Sequence, residues 1–184
     1  MNEFLFNKDD SVENRDYALA SDRLVFRTLR SDDHGVVYRQ FSDSDMCTFF
    51  SDPPCTSDEA ADIITHYGSP DVSKRYARWG MYLRTDGSFV GTCGYHFLDR
   101  DRAQVEIGYD VWKEYWRMGF ATEAVTALCG MLFAIFPVNT IYALIDPANV
   151  ASIAVARNIG FTESPLLRET SDGLFLCMAL RKPK

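Results

Sequence analysis

The sequence predicts an α+β domain with one mixed, mostly antiparallel central sheet of about seven strands flanked by about four helices. Three observations predict it. Apolar residues recur at helical spacing early in the chain and switch to strand-like runs between residues 79 and 111. Those runs are three in succession, divided by polar turns, which favours antiparallel neighbours. Strand and helix patterns then alternate towards the C-terminus. With 184 residues the chain fits one unit able to bury a sizeable core, and 47% hydrophobic with 24% charged residues excludes disordered, collagen-like and low-complexity classes.

Residues 1 to 20 are polar without a sustained period and read as a loosely held arm, so the domain is expected over 21 to 184. Leu24 to Leu29 is rich in strand formers, and Ser31-Asp32-Asp33 supplies residues that open a helix carrying Val36, Val37 and Phe41. Thr48 to Pro54 breaks that helix and displays Phe49 and Phe50. A second helix fits Ser57 to Tyr67, with Ser57 as its cap and Gly68 at its end. Trp79 to Leu83 and Phe89 to Phe97 are strands joined through Asp86-Gly87, and a third strand fits Arg102 to Val111. Alternation along the third strand puts Val105, Ile107, Tyr109 and Val111 on a core face, with Glu106, Gly108 and Asp110 opposite. Ala121 to Phe136 is the clearest helix, stopped by Pro137. A strand at Thr140 to Ile145, a helix at Ala151 to Asn158 closed by Gly160, and strands at Phe161 to Arg168 and Leu174 to Leu180 complete the order.

A net charge of −7 and a pI near 4.9 make a nucleic acid a poor partner, and the densest basic run is only Arg181-Lys182-Pro183-Lys184. Such a surface mildly favours a cationic partner or serves solubility alone. Five scattered cysteines, with no Cys-x-x-Cys pair, read as reduced buried thiols and imply no metal site. Residues 1 to 10 lack the pattern of a signal or transit peptide, and the apolar run nearest to membrane length is interrupted by Pro137. The expected location is the cytoplasm, without membrane attachment.

The stretch most informative for chemistry is Trp116-Arg117-Met118-Gly119-Phe120-Ala121-Thr122, a strand exit whose glycine opens directly into the strongest helix. Free N–H groups at a helix start, with the helix dipole, form a site for phosphate oxygens, and Gly119 removes a side chain where they would approach. A tight turn uses the same pattern. The spacing is that of neither a Walker loop nor a dinucleotide fingerprint, so ATP and NAD are disfavoured.

Four ordered motifs carry a family resemblance. Val105-Glu106-Ile107-Gly108-Tyr109, then Tyr115 to Ala124, then Asp146-Pro147-Ala148-Asn149-Val150-Ala151-Ser152, then Asn158-Ile159-Gly160-Phe161 resemble the GNAT superfamily of N-acetyltransferases, specifically its RimJ/RimL-type branch. The resemblance spans about Arg23 to Leu180 and implies a GNAT-like sheet. It implies that Arg117, Met118, Gly119, Phe120, Ala121 and Thr122 hold the pyrophosphate of acetyl-CoA through backbone groups. It also implies that Val111 pairs with the pantetheine like an added strand and that Asn149 bonds the cofactor arm. As a residue, Asn149 serves equally as a helix cap.

The implied reaction is direct attack of a neutral amine on the thioester, giving an amide and free CoA. It requires a proton acceptor for the amine, a donor to the oxyanion and a donor to the leaving thiolate. Glu106, opposite the core residues, is the first candidate base; His96, Glu169, Asp110 and water remain alternatives. The tyrosine that many family members use as acid is replaced here by Ala156, which makes Ser152 the candidate donor near the sulfur. The backbone N–H of Val111 is the implied oxyanion donor. Phe49, Phe50 and Trp79 either line the acceptor pocket or pack. The implied acceptor is a protein N-terminal α-amino group or a small-molecule amine, and the chain is expected to be a monomer or homodimer. The competing expectation is a non-catalytic acetyl-CoA-binding sensor or interaction module, which needs the loop but no base.

Overall fold

The computed structural model describes residues 17–50, 54–68, 75–164, 168–170 and 173–183. Its elements are β1 (Tyr17–Ala20), β2 (Leu24–Arg27), α1 (His34–Ser42), α2 (Ser57–Tyr67), β3 (Ala77–Leu83), β4 (Phe89–Asp99) and β5 (Gln104–Val111). There follow α3 (Phe120–Ile135), β6 (Thr140–Ile145), α4 (Val150–Ile159), β7 (Thr162–Glu163), β8 (Arg168–Thr170) and β9 (Gly173–Arg181). The strands form one sheet in the order β1-β2-β3-β4-β5-β6-β9-β7, with β8 also on β9. Every pairing is antiparallel except β5 with β6.

The α+β class and the mixed sheet hold, with nine strands rather than about seven. One extra strand is β1, formed by the last four residues of the expected N-terminal arm, which pair with β2; residues 1–16 lie outside the described residues. The other arises because the run expected over Phe161 to Arg168 is divided into β7 and β8, both bonded to β9. Residues 165–167, between them, lie outside the described residues. β5 begins at Gln104 rather than Arg102 because Asp99 Oδ1 accepts the Asp101 and Arg102 N–H groups (3.1 and 3.0 Å) and Ala103 turns at φ 52°. The α2 cap is Thr56 rather than Ser57: its hydroxyl accepts the Glu59 N–H at 3.3 Å while Glu59 accepts the Thr56 N–H at 2.7 Å.

The main core lies between the sheet and α3 and α4. Val105 and Ile107 of β5 and Ile141 and Ala143 of β6 meet Ala124, Val125, Leu128 and Leu132 of α3 and Ile153 of α4. A second apolar cluster joins Leu29, Val37, Ala60 and Ile64, through which α1 and α2 pack together. The alternation expected along β5 is present, but its second face is not simply solvated: Asp110 is only 7% exposed. One feature of the sheet positions the site. β5 and β6 pair only at Gln104↔Thr140, Val105↔Ile141 and Glu106↔Tyr142, then diverge, leaving Ile107–Val111 and Ala143–Ile145 as facing unpaired edges.

Candidate active site

The chain leaves β5 through a 3₁₀ turn at Lys113–Tyr115 and enters α3 at Gly119, which has φ 81° and no side-chain cap. Arg117 is also left-handed, at φ 64°. The first α3 residue whose N–H returns to the preceding turn is Glu123, which bonds Gly119 O at 3.1 Å. The amides of Phe120, Ala121 and Thr122 precede the helical ladder and are therefore available to an anion. Arg23 clamps the loop from β2's side: Nη1 donates to Met118 O at 3.1 Å, and the guanidinium lies 4.1 Å from the Phe120 ring centroid. Glu123 holds Arg23 in turn, accepting from its Nε at 2.6 Å, its backbone N–H at 2.7 Å and Ser21 Oγ at 2.7 Å. Burial would raise the Glu123 carboxyl, but these hydrogen bonds hold it below the ordinary glutamate value.

The cleft between the diverging strands starts at this loop. Trp112 N–H donates to Val90 O at 2.7 Å, which fixes the phase of the ladder. Tyr109 and Val111 consequently direct their backbone polar groups away from β4 and towards the cleft. The Val111 carbonyl accepts the Trp116 indole N–H at 2.6 Å. Across the cleft, Asn149 caps α4 by accepting the Ser152 N–H at 3.0 Å. Ser152 Oγ lies 2.8 Å from the Tyr109 hydroxyl, which is also 3.1 Å from Ser152 O. Burial pushes the Tyr109 phenol up to about 12, so it is protonated near neutral pH.

The opposite face of the sheet carries the carboxylates. Glu106 is half-buried between Phe97 of β4 and Tyr142 of β6, its cross-strand partners. Burial raises its pKa, while a hydrogen bond from Tyr142 and the charge of Arg168 act the other way. Further along this face Asp110 pairs with Arg78 and accepts Thr92 Oγ1–H at 2.8 Å; Arg78 Nε donates to Thr92 Oγ1 at 2.6 Å. Arg78 Nη1 also lies 3.0 Å from His96 Nε2. Since a guanidinium can only donate, Nε2 is the acceptor. Desolvation and the Arg78 charge both push the His96 pKa down. The imidazole sits directly over Gly108, where a Cβ would overlap its ring.

A sequence model described as the acetyltransferase (GNAT) domain matches residues 23–162. The chain belongs to the GNAT acetyltransferase family. N-acetyltransferase p20 of Bacillus licheniformis, uncharacterized beyond that description, is 29% identical over 152 residues, covering 82% of this chain and 85% of that protein. YdaF of Bacillus subtilis, a candidate ribosomal N-acetyltransferase, is 31% identical over 131 residues, covering 70% and 68%. Among solved structures, RimL, a ribosomal L7/L12 α-N-protein acetyltransferase in complex with CoA, superposes with a TM-score of 0.76 at 13% identity. That match covers 88% of this chain and 95% of RimL. These relatives agree with the RimJ/RimL-type branch suggested by the motifs.

In this acetyltransferase Arg117 to Thr122 form one continuous turn into α3, while Val111, Asn149 and Ser152 border the splayed cleft. Glu106 stands where the cleft closes, beside its last paired rung. Asp110 is committed to Arg78, and Glu169 is an exposed residue of β8 paired with Leu174. Trp79 packs in the core at 5% exposure rather than lining a pocket, Phe49 is 41% exposed, and Phe50 contacts Phe41 at 5.7 Å. The sequence reading missed Arg23, Tyr109, Tyr142 and Arg168. The alternation along β5 assigns Tyr109 to the core face alone; its place three residues after Glu106, on the strand that borders the cleft, is the signal the sequence offers. Among the described residues no group of three or more His, Cys, Asp or Glu is arranged around a metal-sized site, and no helix is long and apolar enough to cross a membrane.

Proposed function

We propose that the chain transfers the acetyl group of acetyl-CoA to a primary amine by direct attack, with Glu106 as base and Ser152, backed by Tyr109, as donor to the leaving sulfur. The observation that carries this reading is the splay of β5 from β6. It opens a slot with anion-binding amides at one end and a half-buried carboxylate at the other.

The residues fit acetyl-CoA. The free amides of Phe120, Ala121 and Thr122, at the end of the 117–122 turn, suit a pyrophosphate, and the free edge of β5 up to Val111 suits an extended amide-bearing arm, bound as a strand would be. Glu106 takes the proton of the incoming ammonium directly or through one water, and burial raises its proton affinity for that task. His96 is a poorer base, because its acceptor nitrogen already faces Arg78. The Val111 N–H, on the unpaired edge of β5, is the donor assigned to the oxyanion. As the C–S bond breaks, Tyr109 O–H bonds Ser152 Oγ, leaving the serine's own hydrogen for the thiolate. The nitrogen gains the acetyl group and loses two protons in all, the ammonium proton to Glu106 before attack and a second that restores the Ser152 hydroxyl; the sulfur leaves as the thiol of CoA. Asn149 contributes by fixing the α4 turn that carries Ser152.

The relatives support two kinds of acceptor. RimL is described as acting on a ribosomal protein, and a spermidine N-acetyltransferase from Vibrio cholerae shares the fold at a TM-score of 0.74 and 15% identity. The test pairs acetyl-CoA calorimetry with CoA release on an amine panel, for wild type and Glu106→Gln. Both proteins are expected to bind acetyl-CoA equally, with kcat lowered about 10²- to 10⁴-fold in the variant. Binding without acetyl transfer to any amine would instead favour the non-catalytic module.

A further inference from the structure

On the acceptor face Glu106 is flanked by two arginine-capped aromatic rings. Phe97 and Tyr142 are its cross-strand partners on β4 and β6, so both share its face, each about 4.8 Å away at the usual strand spacing. The Arg75 guanidinium lies 4.5 Å from the Phe97 centroid, and the Arg168 guanidinium lies 4.6 Å from the Tyr142 centroid. Both arginines are exposed, and neither forms a salt bridge with a carboxylate among the described residues. Arg75 Nε donates to Leu98 O at 3.1 Å, which fixes the stem of this exposed side chain. Arg168 bonds the Tyr142 hydroxyl and acts on Glu106 through charge.

The charged groups of β3 to β5 that neighbour Glu106 on this face already have partners. Asp110 neutralises Arg78, Thr92 bridges them, and His96 rests on Arg78. Asp99, two residues beyond Phe97, accepts the turn amides of Asp101 and Arg102 and pairs with Arg102 at 3.5 Å. Cys177 of β9 is buried and uncharged, its thiol raised by desolvation. Among the described residues, the carboxylate aimed at an incoming ammonium therefore sits between two cations, on a chain whose net charge is −7. Such an arrangement repels a polycation and completes itself with an anion.

We infer that the acceptor is an amine that carries its own negative group, a carboxylate or phosphate within about 10 Å, bound by Arg168 with Arg75 while Glu106 receives the ammonium. The inference rests on the acetyltransferase reading and narrows its substrate class. It assigns Arg168 and Arg75 as specificity residues, and it sets amino acids, acidic N-termini and phosphorylated amines apart from polyamines.

The experiment uses peptides identical except for an N-terminal Asp, phosphoserine, Ser or Lys, with spermidine as a polycationic probe. Each is measured for kcat/KM at two ionic strengths and for affinity to the CoA-loaded protein. The binding arm reads the charge order independently of turnover, so a failed acetyl transfer and a failed acceptor class give different results. Acidic N-termini are expected to exceed serine roughly tenfold, with lysine and spermidine lowest and the spread narrowing in salt. The aspartate and phosphoserine arms separate a carboxylate from a phosphate as the preferred anion. Arg168→Gln brings the aspartate-to-serine ratio towards one, Arg168→Lys keeps most of it, and Arg168→Glu shifts preference to lysine. A flat or cation-favouring order in both arms, or a ratio unmoved by Arg168→Glu, overturns the inference.

Discussion

Around the loop after β5, the groups free of the helical ladder are backbone amides of consecutive residues, Phe120, Ala121 and Thr122, on a turn held in place by Arg23 and Glu123. On the opposite face the exposed or half-buried groups are side chains drawn from several strands, Phe97 of β4, Glu106 of β5 and Arg168 of β8, with the buried Arg78–Asp110 pair of β3 and β5 beneath them. The first arrangement depends on conformation and tolerates most side chains that keep it. The second changes character with single substitutions. On the proposed function, the first construction would serve a fixed co-substrate and the second a variable acceptor.

The largest expected effect breaks the side-chain face. Asp110→Ala leaves the Arg78 cation buried without its partner and is expected to cost about 3 to 5 kcal/mol in urea unfolding. A loss under 1 kcal/mol would show that water or Thr92 suffices. Next comes the backbone site. Gly119→Asp tolerates the left-handed φ better than most substitutions, but it places a carboxylate where an anion binds, and acetyl-CoA affinity should fall about 100-fold. Calorimetry beside Gly119→Asn separates charge from conformation, and equal losses for both would assign the effect to the turn.

Smaller changes sharpen the boundary between the regions. Tyr109→Phe should lower kcat about tenfold at unchanged KM, and its effect should not add to that of Ser152→Ala, because one hydroxyl acts through the other. Full additivity in that double-mutant cycle would separate their roles. The subtlest readout is pH. Glu106 is a base only when ionised, so kcat/KM falls as pH drops through its pKa, and burial places that midpoint above the ordinary 4.5. Tyr142→Phe removes a hydrogen bond that favours the carboxylate and should move the acid limb to still higher pH. A limb that stays in place takes Glu106 out of the base role.

The two regions were unequally legible in the sequence. The loop from Trp116 to Thr122 is local, and a helix start advertises its free amides through a glycine and an apolar period. Helix α3 accordingly lies one residue from its expected bounds. The partners Tyr142 and Arg168 are 36 and 62 residues from Glu106 in the chain and meet it only through strand pairing, which periodicity cannot register. Likewise the side of β5 bearing Asp110 reads as polar and exposed, yet Arg78, 32 residues earlier, buries and neutralises it. The cap at Thr56 was missed for a local reason: the adjacent Ser57 offers the same hydroxyl, and only the reciprocal bond from Glu59 distinguishes them.

Three residue pairs alone stitch β5 to β6, and they are where the two halves of the sheet are joined by hydrogen bonds. Mechanically that is a short seam ahead of an open notch. Under thermal agitation the amides at its last rung, beside Glu106 and Tyr142, should exchange with solvent sooner than those deep in the eight-pair β4–β5 ladder. An extended molecule lying along the notch bonds the free edges and spreads the load beyond three rungs. Slower deuterium uptake at the seam then becomes a gauge of occupancy, readable without any catalytic turnover.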